Sequence, residues 1–170
     1  CVLIPSVIFL LIFAVFPVAY GLGISFYDYN PTSSYSEFLG LENYKRLLTD
    51  EVFWIAVKNT IIFCVVAVTA NIVITLFLAK IISVLPSKGM KTFFRTILFI
   101  PCIAPIVGTS MVWKYGMVGT DGGLLNRILG LMGMPPRNWF LTTWQLLAII
   151  IVYTLWADIG YNVVLFTAGI

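Results

Sequence analysis

A row of polar side chains in an apolar run near the C-terminal end of the chain offers the clearest binding chemistry in this sequence. Thr154, Asp158 and Asn162 follow one another at intervals of four residues, so an α-helix places them on one face. Tyr161 comes three residues after Asp158 and shares that side. Polar groups in hydrocarbon must face protein or water, because lipid offers them no hydrogen bonds. The row therefore predicts a face that lines a solute pathway or one that binds a neighbouring helix.

Asp158 is the strongest of these signals. An ionised carboxylate near the middle of a membrane helix costs roughly 2.5–3.5 kcal/mol on insertion scales, a penalty seldom tolerated without a partner or a function. One interpretation is a carboxylate that lines a pathway. The other is an aspartate near the inner end of the helix that bonds a neighbouring helix or reaches the interface. The sequence leaves both open.

Two other apolar runs carry features that bear on a pathway. Asn71 and Thr75 lie four residues apart and are suited to hydrogen bonds between helices or to substrate contacts, the first being the more common role. Pro101 and Pro105 are one helical turn apart, and each removes a backbone donor, which predicts a helix kink. Broken helices often border substrate sites in transporters, whereas a kink that serves packing alone needs no ligand.

The composition places these groups in a membrane protein. Of the 170 residues, 61% are hydrophobic and 10% are charged, and the mean hydropathy is +1.03. A soluble protein carries about 25% charged residues. The chain has no histidine, which excludes His-ligated metals and nucleophiles activated by histidine. It also lacks a cysteine-rich cluster and an intramembrane carboxylate pair, so we expect neither a metal site nor an enzyme.

Long neutral stretches predict four membrane spans. Each can cross about 30 Å of hydrocarbon as a helix of about 20 residues, whereas β-barrel strands would show short alternating segments. We expect an all-α, polytopic transmembrane helical bundle that forms a single domain over residues 1–170. Its spans lie at about residues 2–26, 56–80, 94–115 and 142–168. Because the sequence lacks an initial methionine and stops inside an apolar run, we expect it to be a fragment of a longer protein.

The connecting segments predict the orientation. Residues 80–95 carry four bases and no acid, whereas residues 28–58 carry five acids and three bases. By the positive-inside rule the first of these segments is cytoplasmic, so the N-terminus is inside and residues 28–58 and 114–137 are outside. The outer segments are predicted to contain short amphipathic elements at residues 43–48 and 124–132, the second after a turn at Asp121-Gly122-Gly123.

Several runs, in their order along nearly the whole chain, resemble the maltose-type ABC sugar permeases, the inner membrane components of binding-protein-dependent transport systems. The runs include Phe38-Leu39-Gly40-Leu41-Glu42-Asn43-Tyr44, Phe94-Arg95-Thr96, Phe99-Ile100-Pro101, Gly123-Leu124-Leu125-Asn126, Asn138-Trp139 and Gly160-Tyr161-Asn162.

This resemblance implies a multi-pass permease of the bacterial or archaeal cytoplasmic membrane that passes a carbohydrate inwards. It implies a second permease subunit, a cytoplasmic ATPase pair and an extracytoplasmic solute-binding protein as partners. ATP is then bound by the partner subunits, and no cofactor is expected in this chain, which has no Walker-type run. The ATPase-docking loop and two further spans of a six-span permease are expected beyond Ile170. The pathway residues are expected to be Asp158, Tyr161, Asn162, Thr154 and Asn71.

A membrane structural or assembly protein without transport activity is the alternative. It would share the four spans but would give no reason for the polar face that contains Asp158 and Asn162. The span interiors offer amide, hydroxyl and aromatic groups with one acid and no base, which suits a neutral polyhydroxyl compound better than an anion. We therefore expect a sugar or oligosaccharide as the solute. Phosphorylated polyols stay open, because a partner subunit could supply cations.

Overall fold

The computed structural model describes residues 3–32, 35–120 and 122–169 of the chain, and these are almost entirely helical, so the all-α prediction is confirmed. The turn predicted at Asp121 lies in part outside the described residues. In chain order the elements are α1 (Ile4–Leu10), a π-helical segment (Leu11–Val15), α2 (Phe16–Ile24), β1 (Tyr27–Asp28), β2 (Glu37–Phe38), α3 (Glu42–Thr49), α4 (Glu51–Ser83), α5 (Lys88–Ile103), α6 (Ile106–Met111), a second π-helical segment (Val112–Met117), α7 (Leu124–Leu131) and α8 (Thr143–Gly169).

Three continuous helical stretches are long and apolar enough to cross a membrane. They are Ile4–Ile24, Glu51–Ser83 and Thr143–Gly169. A fourth candidate is the pair Lys88–Ile103 and Ile106–Met117, whose two halves meet at a bend of 89°. Counting this broken span, the described residues contain up to four helical segments that could cross a membrane by length and composition, and the predicted bounds of the spans stay a prediction. Most apolar side chains of these helices are exposed, as helices that face lipid or partner subunits require.

The chain divides into two compact units, residues 1–58 and 59–170. In the first unit, a small hydrogen-bonded cap follows α2. Strand β1 pairs antiparallel with β2, with Tyr27 opposite Phe38. Asn43 of α3 donates its amide to the carbonyl oxygens of Ser25 and Tyr27, at 3.0 and 3.1 Å. These bonds satisfy the carbonyl of Ser25, the C-cap residue of α2, and that of Tyr27 in β1, and so tie α3 to both elements. The amphipathic element predicted in this segment is helix α3.

In the second unit, the kink predicted at the two prolines is a break between α5 and α6. Pro101 lies inside α5, and Pro105 is the N-cap residue of α6. Ala104 between them is extended, with φ −69° and ψ 140°, because the ring of a following proline disfavours the helical conformation. Proline also lacks the N–H that would continue the helix. The chain therefore changes direction here rather than bending gradually.

Helix α5 packs against α8 at Gly160, which is buried. A Cβ atom at this position would overlap the carbonyl oxygen of Leu98 and would lie 2.7 Å from the Cα atom of Phe99. Small residues allow such close backbone approach between membrane helices, where packing rather than the hydrophobic effect holds helices together. Gly160 thus joins α8 to the first half of the broken span, two residues before Asn162.

Replacing Gly160 with alanine should force α5 and α8 apart, because the added methyl group has no space beside Leu98. Overpacking of this kind costs about 1–3 kcal/mol, so we expect a lower Tm for the full-length permease in detergent. Gly108→Ala is the matched control, since no atom lies within 4 Å of the Cβ position there. An unchanged Tm for Gly160→Ala would show that this helix contact is absent from the folded protein.

Candidate functional site

Helices α4 and α8 line an open cavity of about 400 Å³ that contains most of the predicted polar row. We call it the α4–α8 cavity. Its polar lining consists of Asn71 from α4 and Thr154, Asp158 and Asn162 from α8. The remaining lining is apolar and comprises Phe63, Ala67, Val68, Ile72, Leu155 and Phe166. A few converging polar groups within apolar walls are the usual composition of a small-molecule site.

One hydrogen bond joins the two helices at this cavity. The Nδ2 atom of Asn162 donates to Oδ1 of Asn71 at 2.9 Å, and it also lies 3.4 Å from the carbonyl oxygen of Asp158. Thr75, one turn after Asn71, is fully buried and donates its hydroxyl to the Asn71 carbonyl within its own helix. Asn71 therefore makes an interhelical bond and lines the cavity, whereas Thr75 serves its own helix.

This arrangement leaves several polar atoms available to a solute. The bond between the two amides uses Oδ1 of Asn71 and Nδ2 of Asn162, so one donor group and one acceptor oxygen remain. Among the described residues, neither the Asp158 carboxylate nor the Thr154 hydroxyl has a hydrogen-bonding or ionic partner. The cavity thus offers donors and acceptors without a positive charge, which is the set that pairs with hydroxyl groups.

Tyr161 is the member of the predicted row that does not line the α4–α8 cavity. Its side chain is 55% exposed. At about 100° per residue, Tyr161 lies about 60° from Asp158 around the helix axis and Asn162 about 40° on the opposite side, so Tyr161 stands at the edge of the row. The structure therefore brings Thr154, Asp158 and Asn162 together with Asn71 and directs Tyr161 elsewhere.

Tyr153 holds the second half of the broken span against α8, a role that has no local signal in the sequence. Its hydroxyl lies 2.8 Å from Oγ1 of Thr109 and donates to the carbonyl oxygen of Ile106 at 3.3 Å. Its ring also contacts Trp113 and Trp156, with centroids 5.6 and 6.1 Å away. Helix α8 is thus bonded to α6 at Tyr153, the residue directly before the cavity residue Thr154.

Known proteins with similar sequences are transport permeases. The lactose transport system permease protein LacF of Rhizobium radiobacter is 32% identical over 168 residues, which cover 98% of this chain and 55% of LacF. The trehalose/maltose transport system permease protein MalF of Thermococcus litoralis is 28% identical over 169 residues, covering 99% of this chain and 56% of MalF. The chain spans about half the length of the curated relatives it matches.

A solved structure has the same fold. It is the crystal structure of a bacterial alginate ABC transporter in complex with an alginate pentasaccharide-bound periplasmic protein. One of its chains matches with a TM-score of 0.81 and 23% identity, over 98% of this chain and 54% of that chain. No model of a known protein family matches the sequence. The resemblance predicted from the sequence is nevertheless confirmed, because the curated homologues of this chain are permease proteins of sugar ABC transporters and its fold is that of an ABC transporter permease.

Proposed function

We propose that this chain belongs to a permease subunit of an ABC importer that passes a carbohydrate across the cytoplasmic membrane. The observation that carries the proposal is the α4–α8 cavity, where amide, hydroxyl and carboxylate groups converge between apolar walls. The sugars named for two relatives, lactose for one and trehalose or maltose for the other, support a carbohydrate as the solute. None of the relatives named above is a structural or assembly protein.

The free atoms of the cavity match the surface of a sugar. The remaining amide donor of Asn71 can bond a sugar oxygen, while the oxygens of Asn162 and Asp158 accept from sugar hydroxyls. The rings of Phe63 and Phe166 supply apolar surface for the C–H groups of the sugar. Each neutral hydrogen bond contributes only about 0.5–1.5 kcal/mol. A few such bonds allow selection and still permit release on the other side.

The proposal assigns energy supply and delivery to partner proteins. A second permease subunit would cover the open side of the α4–α8 cavity, and a cytoplasmic ATPase pair would bind ATP and drive the cycle. An extracytoplasmic solute-binding protein would deliver the carbohydrate. The periplasmic protein named with the alginate transporter supports such a delivery partner.

In the proposed orientation, the N-terminus and residues 80–95 face the cytoplasm. The four bases of that segment carry this inference. One of them, Lys91, also donates its ammonium group to the Ser83 carbonyl at 2.7 Å and so caps the C-terminal end of α4. Residues 28–58 and 114–137 then lie on the outer side.

We expect Asn162→Ala to lower uptake by the full-length complex and to change its sugar preference, because a solute would lose a hydrogen bond worth about 0.5–1.5 kcal/mol. Asp158→Asn should be milder than Asp158→Leu, since the amide keeps an acceptor oxygen. The measurement is uptake per assembled complex, with complex yield quantified alongside. Thr167→Ala is the matched control, because within the described part of the chain the Thr167 hydroxyl bonds only the Val164 carbonyl of α8.

Two results would count against this role. Normal uptake and unchanged preference in Asn162→Ala would remove that residue from the solute pathway. A loss of assembled complex would show that the bond to Asn71 serves helix packing alone.

The orientation predicts one-sided labelling. In a full-length permease without native cysteines, a cysteine at Ser87 should react with a membrane-impermeant maleimide only from the cytoplasmic side. A cysteine at Ser36, which is exposed between β1 and β2, should react only from outside. The labelling of right-side-out and inverted vesicles measures both. Reversed labelling would overturn the orientation and the direction of import with it.

A further inference from the structure

A second concavity, separate from the α4–α8 cavity, lies where the broken span ends and the chain approaches α8. Its volume is about 470 Å³. Its walls come from the end of the second π-helical segment and the residues after it, and from the stretch just before α8. They comprise Lys114, Tyr115, Gly119, Thr120, Asn138 and Phe140. We call it the loop concavity.

A single buried side chain, Asn126 of α7, ties the two walls together. Its Nδ2 atom donates to the carbonyl oxygens of Gly119, Thr120 and Arg137, at 3.2, 3.4 and 2.9 Å. Its Oδ1 atom accepts from the backbone N–H of Arg137 at 3.0 Å and from Nε1 of Trp139 at 3.1 Å. Every hydrogen-bonding position of the amide is used for the loop itself. The walls are therefore fixed before any ligand arrives.

Close backbone packing below the concavity adds to this rigidity. Gly123 is buried, and a Cβ atom there would lie 2.5 Å from the nitrogen and 2.6 Å from the oxygen of Gly119. Only glycine permits this approach. Such a loop presents side chains in set positions, which lowers the entropy lost on binding.

The side chains that the loop presents have free binding groups. The Tyr115 ring is 66% exposed, and the Lys114 ammonium lies 5.1 Å from its centroid. Asn138 accepts the Phe140 N–H at its Oδ1 atom, at 3.0 Å, which leaves its Nδ2 group free to donate. Thr120 lines the same space. An aromatic ring beside amide, hydroxyl and ammonium donors is suited to a sugar ring, which has C–H faces and oxygen atoms at its edge.

The charge of the loop concavity differs from that of the α4–α8 cavity. Among the described residues that line it, the ionisable groups are the Lys114 ammonium and the phenol of Tyr115. The α4–α8 cavity has one acid, Asp158, and no base. The two sites are therefore chemically distinct and lie on the same proposed route.

We propose that the loop concavity is an outer carbohydrate-binding subsite, which holds one sugar unit against Tyr115 and bonds it through Lys114 and Asn138 before the sugar reaches the α4–α8 cavity. The proposal rests on the proposed function and its orientation. A different role for the same residues is membrane anchoring, because tyrosine and lysine are common at the headgroup level. Anchoring, however, predicts no effect of these residues on sugar affinity.

The test measures the affinity of the full-length complex in nanodiscs for radiolabelled maltotriose and trigalacturonate by equilibrium dialysis, without solute-binding protein. For the probe that binds more tightly, Tyr115→Leu should weaken binding about 3- to 10-fold, whereas Tyr115→Phe keeps the ring and should stay within about 2-fold. Asn138→Asp should weaken binding as well, because it keeps the acceptor for Phe140 and removes the free donor. Phe77→Leu is the matched control, since Phe77 is also 66% exposed and lines neither site.

The same variants are measured in an Asn162→Ala background, which separates the two proposals. A loss of affinity that persists in this background supports a site independent of the α4–α8 cavity. Wild-type affinity in Tyr115→Leu and Asn138→Asp would overturn the subsite, as would an equal loss in Phe77→Leu. If Asn162→Ala still lowers uptake in that case, the proposed function stands without the subsite. If no variant in either set changes binding or uptake, both proposals fail.

Discussion

Polar groups inside a membrane need partners within the protein, and in the second unit of this chain helix α8 supplies them. Its Asn162 bonds Asn71 of α4, and its Tyr153 bonds the backbone and Thr109 at the start of α6. Between these two bonds, Gly160 brings α8 against the backbone of α5. Helix α8 therefore fixes three neighbouring segments at once. The first of these bonds crosses between the two helices that line the α4–α8 cavity.

The same contacts stabilise the broken span. A break such as that at Ala104 and Pro105 interrupts the helical hydrogen-bond ladder, and membrane helices tolerate this only where protein or water covers the backbone. Here the hydroxyls of Tyr153 and Thr109 reach the carbonyl of Ile106, in the first turn after the break. The first half is covered by the contact at Gly160.

The sequence predicts those features that depend on local spacing. The interval of four residues between Thr154, Asp158 and Asn162 predicts a shared face, and the structure places all three in one cavity. Tyr161, three residues after Asp158, also stands at a helical interval, but it lies at the edge of the row and outside the cavity. The size of the break could not be read from two prolines, because it depends on the extended conformation of Ala104. The orientation in the membrane stays a prediction.

The remaining features depend on partners that are distant in the sequence. Asn71 and Asn162 are 91 residues apart, and each alone is an ordinary polar residue in an apolar run. Tyr153 and Thr109 are separated by 44 residues. Asn126 stood in one of the runs that resembled known permeases, yet its role in joining two loop walls follows only from the folded backbone. Residue spacing along the sequence does not predict such bonds, because they depend on how different helices pack together and not on the geometry of a single helix.

The most direct test of the α4–α8 cavity as a solute site is a cryo-electron microscopy structure of the full-length complex, trapped with a transported oligosaccharide in its membrane pathway. The account predicts sugar density between α4 and α8, within hydrogen-bonding distance of Asp158 and Asn162, while the bond from Asn162 to Asn71 stays intact. Density for lipid or a packed helix in that space, with the sugar bound away from both residues, would contradict it.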